Sequence, residues 1–256
     1  MASEVPFNKQ LRKATRDVHA MSDALVNAKL AFAMSDNSVW AEGLLVFYEI
    51  FRYLELAMHR LRDTPVGELH IEGMARSEAF ERDLDFYLGA NWRQNYKPRD
   101  SVANYLAHLQ RIEREDPIRL CAYVYHLYMG LFSGGQILRK KRNVTKKFRS
   151  FAYFLYSNDV TTEAKRKGGD AVTDFGDNSV YELKLKLVKS MNSIAANMDE
   201  KTRMALIEES KTVFLLNNSL VKTVRGADEV LLRRLIVFAI VIVILMILFF
   251  VFIAKE

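Results

Sequence analysis

The sequence predicts an all-α fold that ends in one membrane-spanning helix. Three observations carry this expectation. Only 4 prolines and 11 glycines occur in 256 residues, which disfavours a turn-rich β architecture. Apolar residues recur at steps of three and four along most of the chain. Close to the C-terminus, Leu235 to Ala254 is a run of apolar residues without a charge.

The elements follow in order. Leu11, Ala14, Val18, Met21 and Leu25 share one face of a first helix, from Phe7 to about Leu30. Ser38 is the expected cap of a second, which runs through Trp40, Leu44, Phe47, Phe51, Leu54 and Met58. It stops before Thr64-Pro65, because a residue preceding proline avoids helical geometry. A third helix spans Ser77 to Leu88 and is closed by Gly89. Ser101 caps a fourth, through Val102, Tyr105, Leu106 and Leu109. Asp116-Pro117 opens a fifth, with a capping acid followed by proline at the first helical position. That helix reaches Met129, meets Gly130, Gly134 and Gly135, and resumes toward Lys146. Tyr156 to Ser179 is polar and aperiodic and reads as a surface loop. Tyr181 to Met198 is again helical, and Asp199 caps the last soluble helix, through Met204, Leu206, Val213, Leu216 and Leu220. These segments make one domain, residues 1–230, of six to eight helices, and an anchor over 235–254.

The anchor matches a bilayer in length. Its twenty residues at about 1.5 Å each span about 30 Å, the thickness of a hydrocarbon core. Arg233 and Arg234 precede it, with Lys222 and Arg225 close behind, so the domain is expected on the cytosolic side. The start, MASEVPFNKQ, is polar and carries no signal-type run. The expectation is a tail-anchored protein of the endoplasmic reticulum membrane, with the mitochondrial outer membrane left open.

Half the residues are hydrophobic, enough for a sizeable core. Net charge is +6, of which +2 lies from Arg233 onward and +4 in the rest. That mild balance suits an anionic ligand, an acidic partner or an anionic membrane surface, and it is no nucleic-acid footprint. The single cysteine, Cys121, lies in an apolar run and reads as core. The basic stretch Arg139 to Lys147 reads as a solvated helix end or a surface for an acidic partner.

None of the five histidines (His19, His59, His70, His108, His126) forms an HExxH pair. P-loop, dinucleotide and nucleophile-elbow motifs are also missing from the sequence. A helical protein of this kind often takes its chemistry from a cofactor. Arg12, Arg16, His19 and Asp23 are spaced to share one helical stripe, which offers an imidazole for iron and two guanidinium groups for carboxylates. Taken alone, that stripe reads first as a solvated polar face. Met129-Gly-Leu-Phe-Ser-Gly-Gly-Gln136 places three glycines in six positions of a helix, each costing about 1 kcal/mol relative to alanine. They mark either a break or a backbone that must lie close to a flat ligand.

The two segments together resemble the heme oxygenase family. Leu11-Arg-Lys-Ala-Thr-Arg-Asp-Val-His19 is similar to its proximal-helix motif, and Tyr128-Met-Gly-Leu-Phe-Ser-Gly-Gly-Gln136 to its distal-helix signature. Asp83-Leu-Asp-Phe-Tyr-Leu-Gly-Ala-Asn-Trp92, Met191-Asn-Ser193 and Glu208-Glu-Ser-Lys-Thr-Val-Phe-Leu-Leu-Asn217 match in the same order. The resemblance implies an all-helical heme oxygenase-like domain with heme held between the proximal and distal helices. It implies His19 as the iron ligand and Asp23 as its carboxylate partner. Arg12, Arg16 and Lys184 would face the propionates, with Tyr125 nearby and Phe214 at the ring edge. Gly130 and Gly134 would line the distal face. The implied reaction is cleavage of heme, both cofactor and substrate, to biliverdin, carbon monoxide and iron, using O2. Electrons would come from NADPH through a membrane-bound flavoprotein reductase, and a biliverdin reductase is a further candidate partner.

The sequence departs from the family at three positions. Leu131 stands where the family has an aspartate that orders distal water, Phe51 where it has a tyrosine, and Val188 where an arginine steers a propionate. Two expectations follow: an oxygenase with relaxed choice of meso carbon, or a membrane-tethered heme binder or sensor with impaired catalysis. His126, Ser133 and Gln136 are the nearby polar groups that could compensate, although His126 reads first as structural. A helical membrane adaptor without a cofactor is the third reading.

Overall fold

The computed structural model describes residues 5–29, 36–145 and 168–253. Among them every regular element is helical. In chain order they are α1 (Phe7–Ala14), α2 (Arg16–Lys29), α3 (Asn37–Arg60), α4 (Ser77–Leu88), α5 (Trp92–Asn95), α6 (Asp100–Glu115) and α7 (Leu120–Gly130). A π-turn over Leu131–Gly135 leads into α8 (136–145), followed by α9 (Val180–Ala196), α10 (Glu200–Lys222) and α11 (Ala227–Ile253).

The axis of the domain is α7, the most apolar helix of the soluble part. Leu120 to Tyr125, Leu127 and Tyr128 are all buried, which an amphipathic surface helix would not allow. Helices α3, α6, α9 and α10 pack around it. Cys121 is fully buried there, and burial pushes its thiol up to about 12, so it is an inert core residue.

Several local expectations change in the folded chain. The first helix is two pieces: Thr15 is non-helical, and its Oγ1 donates back to Leu11 O at 2.8 Å, a bond that bends helices. Asp36, not Ser38, caps α3, because its carboxylate accepts from both Ser38 N (2.9 Å) and Ser38 Oγ (2.6 Å). Ser101 does not cap α6, which begins one residue earlier, and its hydroxyl lies 3.2 Å from Thr223 Oγ1. Asp116 makes no side-chain cap either; Pro117–Arg119 form a 3-10 turn before α7. By contrast, Ser179 and Asp199 cap α9 and α10 through Glu182 N and Thr202 N.

The expected surface loop over 156–179 lies outside the described residues as far as 167. Beyond that it is a surface loop in part: Asp174 and residues 176–179 are exposed, while its middle turns inward. Val172, Thr173 and Phe175 are buried. The buried carboxylate of Asp83 accepts from Ala171 N (2.8 Å) and Val172 N (2.9 Å), and the Arg76 guanidinium lies 4.0 Å over the Phe175 ring and donates to Asp174 O (2.7 Å). Partners remote in sequence thus satisfy the backbone of an irregular segment that would otherwise need water.

Helix α11 starts inside the domain and leaves it. Ala227 and Val230 are buried, and Arg233 Nη2 lies 3.4 Å from Asp36 Oδ2. Beyond them Leu235, Ile236, Phe238 and their successors are exposed. Within Ala227–Ile247 an 18-residue window has a mean hydropathy of 2.9 and only 6% of it is buried, so length and composition suit a membrane span and a soluble core helix does not look like this.

Candidate functional site

The site lies where α2, α7, the π-turn, α9 and α10 meet. On α2, one turn past the Thr15 bend, His19 Nδ1 is 3.0 Å from Asp23 Oδ2. The contact holds the ring by Nδ1 and leaves Nε2 available to a metal. The His19 side chain is 55% exposed, so one edge of the ring is open. Arg12 and Arg16 are exposed on the same side, and Arg16 Nε touches only its neighbour Asp17 at 3.3 Å.

Behind His19 stands an aromatic wall. Phe214 on α10 lies 5.2 Å from the His19 ring and 5.1 Å from the His126 ring, so it separates two imidazoles. Tyr125 stacks edge-on against His126 at 5.3 Å, and burial pushes its phenol up to about 12. Burial, reinforced by the neighbouring His19, pushes His126 down to about 3, so this imidazole is neutral. Its Nε2 is sealed from solvent and has no hydrogen-bond partner. A buried polar atom left so costs about 1–3 kcal/mol unless a ligand or water meets it.

The glycines lie at the end of α7 and in the π-turn. A Cβ built on Gly130 or Gly134 meets nothing within 4 Å. The protein's own packing therefore does not demand glycine at either position, and both backbones face open space. At Gly135 the added Cβ would lie 2.9 Å from Leu131 Cδ1, so that glycine faces inward. Leu131 is half-buried and packs against the core beside Gly135, whose Cβ direction also points to Thr173. The sequence marks a break here through its three glycines but not that it is a π-turn, a feature frequent at functional sites.

The polar groups near Leu131 are committed elsewhere. Gln136 Nε2 donates to Thr173 O at 2.9 Å. Lys184 Nζ, reaching over from α9, donates to Ser133 Oγ at 2.9 Å and so ties α9 to the π-turn. Phe51 is buried between Phe80 (5.1 Å) and Tyr128 (5.2 Å), and Val188 packs against the core. Tyr128 OH donates to Glu55 Oε1 at 2.7 Å, and the Glu55 carboxylate accepts from Arg76 N and Ser77 N at the start of α4. In the basic stretch, Arg139 pairs with Asp174 at 2.8 Å, which makes that end of the stretch structural; positions 146 and 147 lie outside the described residues.

The assembly thus has a histidine held by a carboxylate, cations on α1, α2 and α9, aromatic rings that join His19 to His126, and glycines with open Cβ directions at the end of α7. This defines an all-helical protein in which a histidine held by a carboxylate stands beside a cluster of aromatic rings.

The heme oxygenase family model matches residues 5–223. Human heme oxygenase 1 is 27% identical over 226 residues, covering 82% of this chain and 69% of the human protein. Heme oxygenase 1 of Synechocystis is 26% identical over 226 residues, covering 87% of this chain and 86% of that one. Among solved structures, heme oxygenase 1 of Synechocystis in complex with heme has a TM-score of 0.74 at 23% identity, over 93% of this chain and all of the other. Heme oxygenase 2 of Chlamydomonas reinhardtii, solved without heme, has a TM-score of 0.70 at 28% identity, over 86% and 98%. The chain belongs to the heme oxygenase family, and it is a heme-degrading oxidoreductase.

Proposed function

We propose that this chain cleaves heme to biliverdin, carbon monoxide and iron at the pocket between α2 and the π-turn, with relaxed choice of the meso carbon. The observation that carries the relaxed choice is Leu131 packed inward beside Gly135, with no carboxylate in its place. Bound heme supplies the iron at which O2 is reduced, with electrons drawn from NADPH through a flavoprotein reductase, and its ring is the substrate.

The chain's own residues position that substrate. His19 Nε2 holds the iron, and Asp23 fixes the imidazole through Nδ1. Arg12, Arg16 and Lys184 balance the two carboxylates from the rim, with Tyr125 beside them. Phe214 packs on the ring edge and excludes water. Gly130 and Gly134 let backbone lie over the distal face where any side chain would intrude. Leu131 can neither accept a hydrogen bond nor order a water, so proton delivery is less directed than with an acid there. Val188 offers no charge to fix one propionate, so the ring has more than one seating.

We further propose that residues 1–230 form a cytosolic domain and 235–254 its anchor in the endoplasmic reticulum membrane. A reductase in the same bilayer is then met at raised effective concentration, and a biliverdin reductase is the natural recipient of the product.

The test is turnover of the full chain with heme, NADPH and reductase, followed in the visible spectrum, with pigments separated by chromatography. Loss of the Soret band with several biliverdin isomers supports the proposal. A single isomer refutes relaxed choice. A stable Soret band under turnover leaves the second reading, a membrane-tethered heme binder or sensor, which the apolar packing of Leu131 also favours.

A further inference from the structure

A buried structural histidine ordinarily pairs each ring nitrogen that is sealed from water. His126 does not: its Nε2 is sealed and unpartnered, and its ring neighbours Phe214 and Tyr125 are aromatic. His126 also lies four residues before Gly130, on the same face of α7, and an added Cβ at Gly130 would meet nothing within 4 Å among the described residues. The ring of Phe214 touches both imidazoles, so their centroids lie no more than about 10 Å apart, the sum of the two separations of 5.2 and 5.1 Å. Phe214 itself is only half-buried, and it is the one side chain whose ring contacts join the two histidines among the described residues.

We infer that His126 is a second imidazole ligand for heme iron, reached when Phe214 turns aside, so that the pocket holds the metal through either His19 or His126. The inference rests on the heme-binding reading of the pocket. It explains why an unsatisfied nitrogen is kept at the back of a cofactor site, where an apolar side chain would pack without cost. It also gives the altered pocket a second stable seating for the ring, with the iron displaced toward α7. Neutral imidazole is among the commonest ligands for iron, and no acid or cation contends for this one.

The test compares the full-length protein with His19→Ala, His126→Ala and the double variant, each loaded with ferric heme in detergent micelles. Resonance Raman of the ferrous form reads the iron–nitrogen stretch, and electron paramagnetic resonance of the ferric form reads axial nitrogen ligation. The expected result is that each single variant keeps a nitrogen ligand, and that only the double variant loses it, with at least a further tenfold loss of heme affinity. Added imidazole then restores the signal in the double variant, and circular dichroism matching the parent shows that the fold is intact. If His19→Ala alone abolishes nitrogen ligation while its helical signal is unchanged, the inference is overturned and the heme-binding reading stands. Should the unmodified protein itself take up no heme, both fall together. His126→Gln provides the same comparison at closer volume if the alanine variant unfolds.

Discussion

Lys184 Nζ donates to Ser133 Oγ across 2.9 Å, so the lysine of α9 closes on the π-turn of the glycine wall. In the proposed complex this lysine would have two tasks, a hydroxyl partner within the protein and a carboxylate on the ligand. The charged task is the stronger, since hydrogen bonds to ionised groups contribute roughly twice as much. Lys184→Met should therefore weaken heme binding about tenfold, equal to ~1.4 kcal/mol, whereas Ser133→Ala should change it by less than about threefold. The loss in Lys184→Met should shrink in high salt. Equal effects of the two substitutions in a heme titration would show that Lys184 serves only the π-turn.

The glycines of the distal wall predict effects of opposite sign on two measurements. An added Cβ at Gly134 meets no protein atom within 4 Å. Gly134→Ala should thus leave the heme-free protein as stable or up to ~1 kcal/mol more stable, because alanine loses less entropy in a helix. Heme affinity should fall at the same time, by tenfold or more, as the methyl enters the ligand's space. Thermal melts of the heme-free chain and heme titrations read the two effects separately. Unchanged affinity would place the ligand away from this wall.

How much of this was legible follows the reach of each signal. Signals confined to a few residues read correctly: Gly89 at φ +86 closes α4, and Asp199 caps α10. The choice between Asp36 and Ser38 was not legible, since both are good caps two residues apart and only the carboxylate's geometry decides. The segment 171–175 looked like a loop because its partners, Asp83 and Arg76, lie some ninety residues away. The same holds for the site. The spacing of Arg12, Arg16, His19 and Asp23 was readable on one helix, and the His19–Asp23 contact follows from it. The sealed Nε2 of His126 was not, because it depends on α10 bringing Phe214 against α7.

Glu209 joins three helices and should be the costliest single acid to remove. Its buried carboxylate meets Arg119 Nη2 at 2.7 Å, His108 Nε2 at 2.9 Å and the Tyr123 hydroxyl. Glu209→Ala leaves a guanidinium and a phenol without their acceptor, a change expected to cost about 3 kcal/mol or more. Phe214 sits on the same helix, so heme affinity should fall as well. Denaturant unfolding reads the stability, and a loss under about 0.5 kcal/mol would refute the role.

Acid should destabilise the heme-free protein partly through His126. Its folded value is pushed down to about 3 by burial, against about 6.5 in the unfolded chain. Between those values the unfolded state binds a proton that the folded state refuses, so stability is full above about pH 6.5 and falls as pH drops, with a limiting slope of about 1.4 kcal/mol per unit. His126→Gln should flatten that part of the stability profile. An unchanged slope in denaturant titrations at pH 7, 6 and 5 would mean that the ring takes up its proton in the folded state.

The base of α11 belongs to the domain rather than to the anchor. Ala227 and Val230 are buried, Val39 of α3 lies against Gly226, and Arg233 reaches Asp36 at the cap of α3. A chain ended after Arg233 keeps these contacts and should unfold at the same denaturant concentration as the full protein in detergent. One ended after Arg225 removes Val230 and Ala227 and uncovers their partners, a loss of about 2 kcal/mol or more at ~25 cal/mol per Å² of apolar surface. The Arg233–Asp36 pair adds little to this, since the arginine is largely exposed. Equal midpoints for the two truncations would mean that α11 is a free tether. A lower midpoint for the shorter chain alone would mean that the anchor leaves the domain in a fixed direction, and so fixes which face of the domain lies against the bilayer.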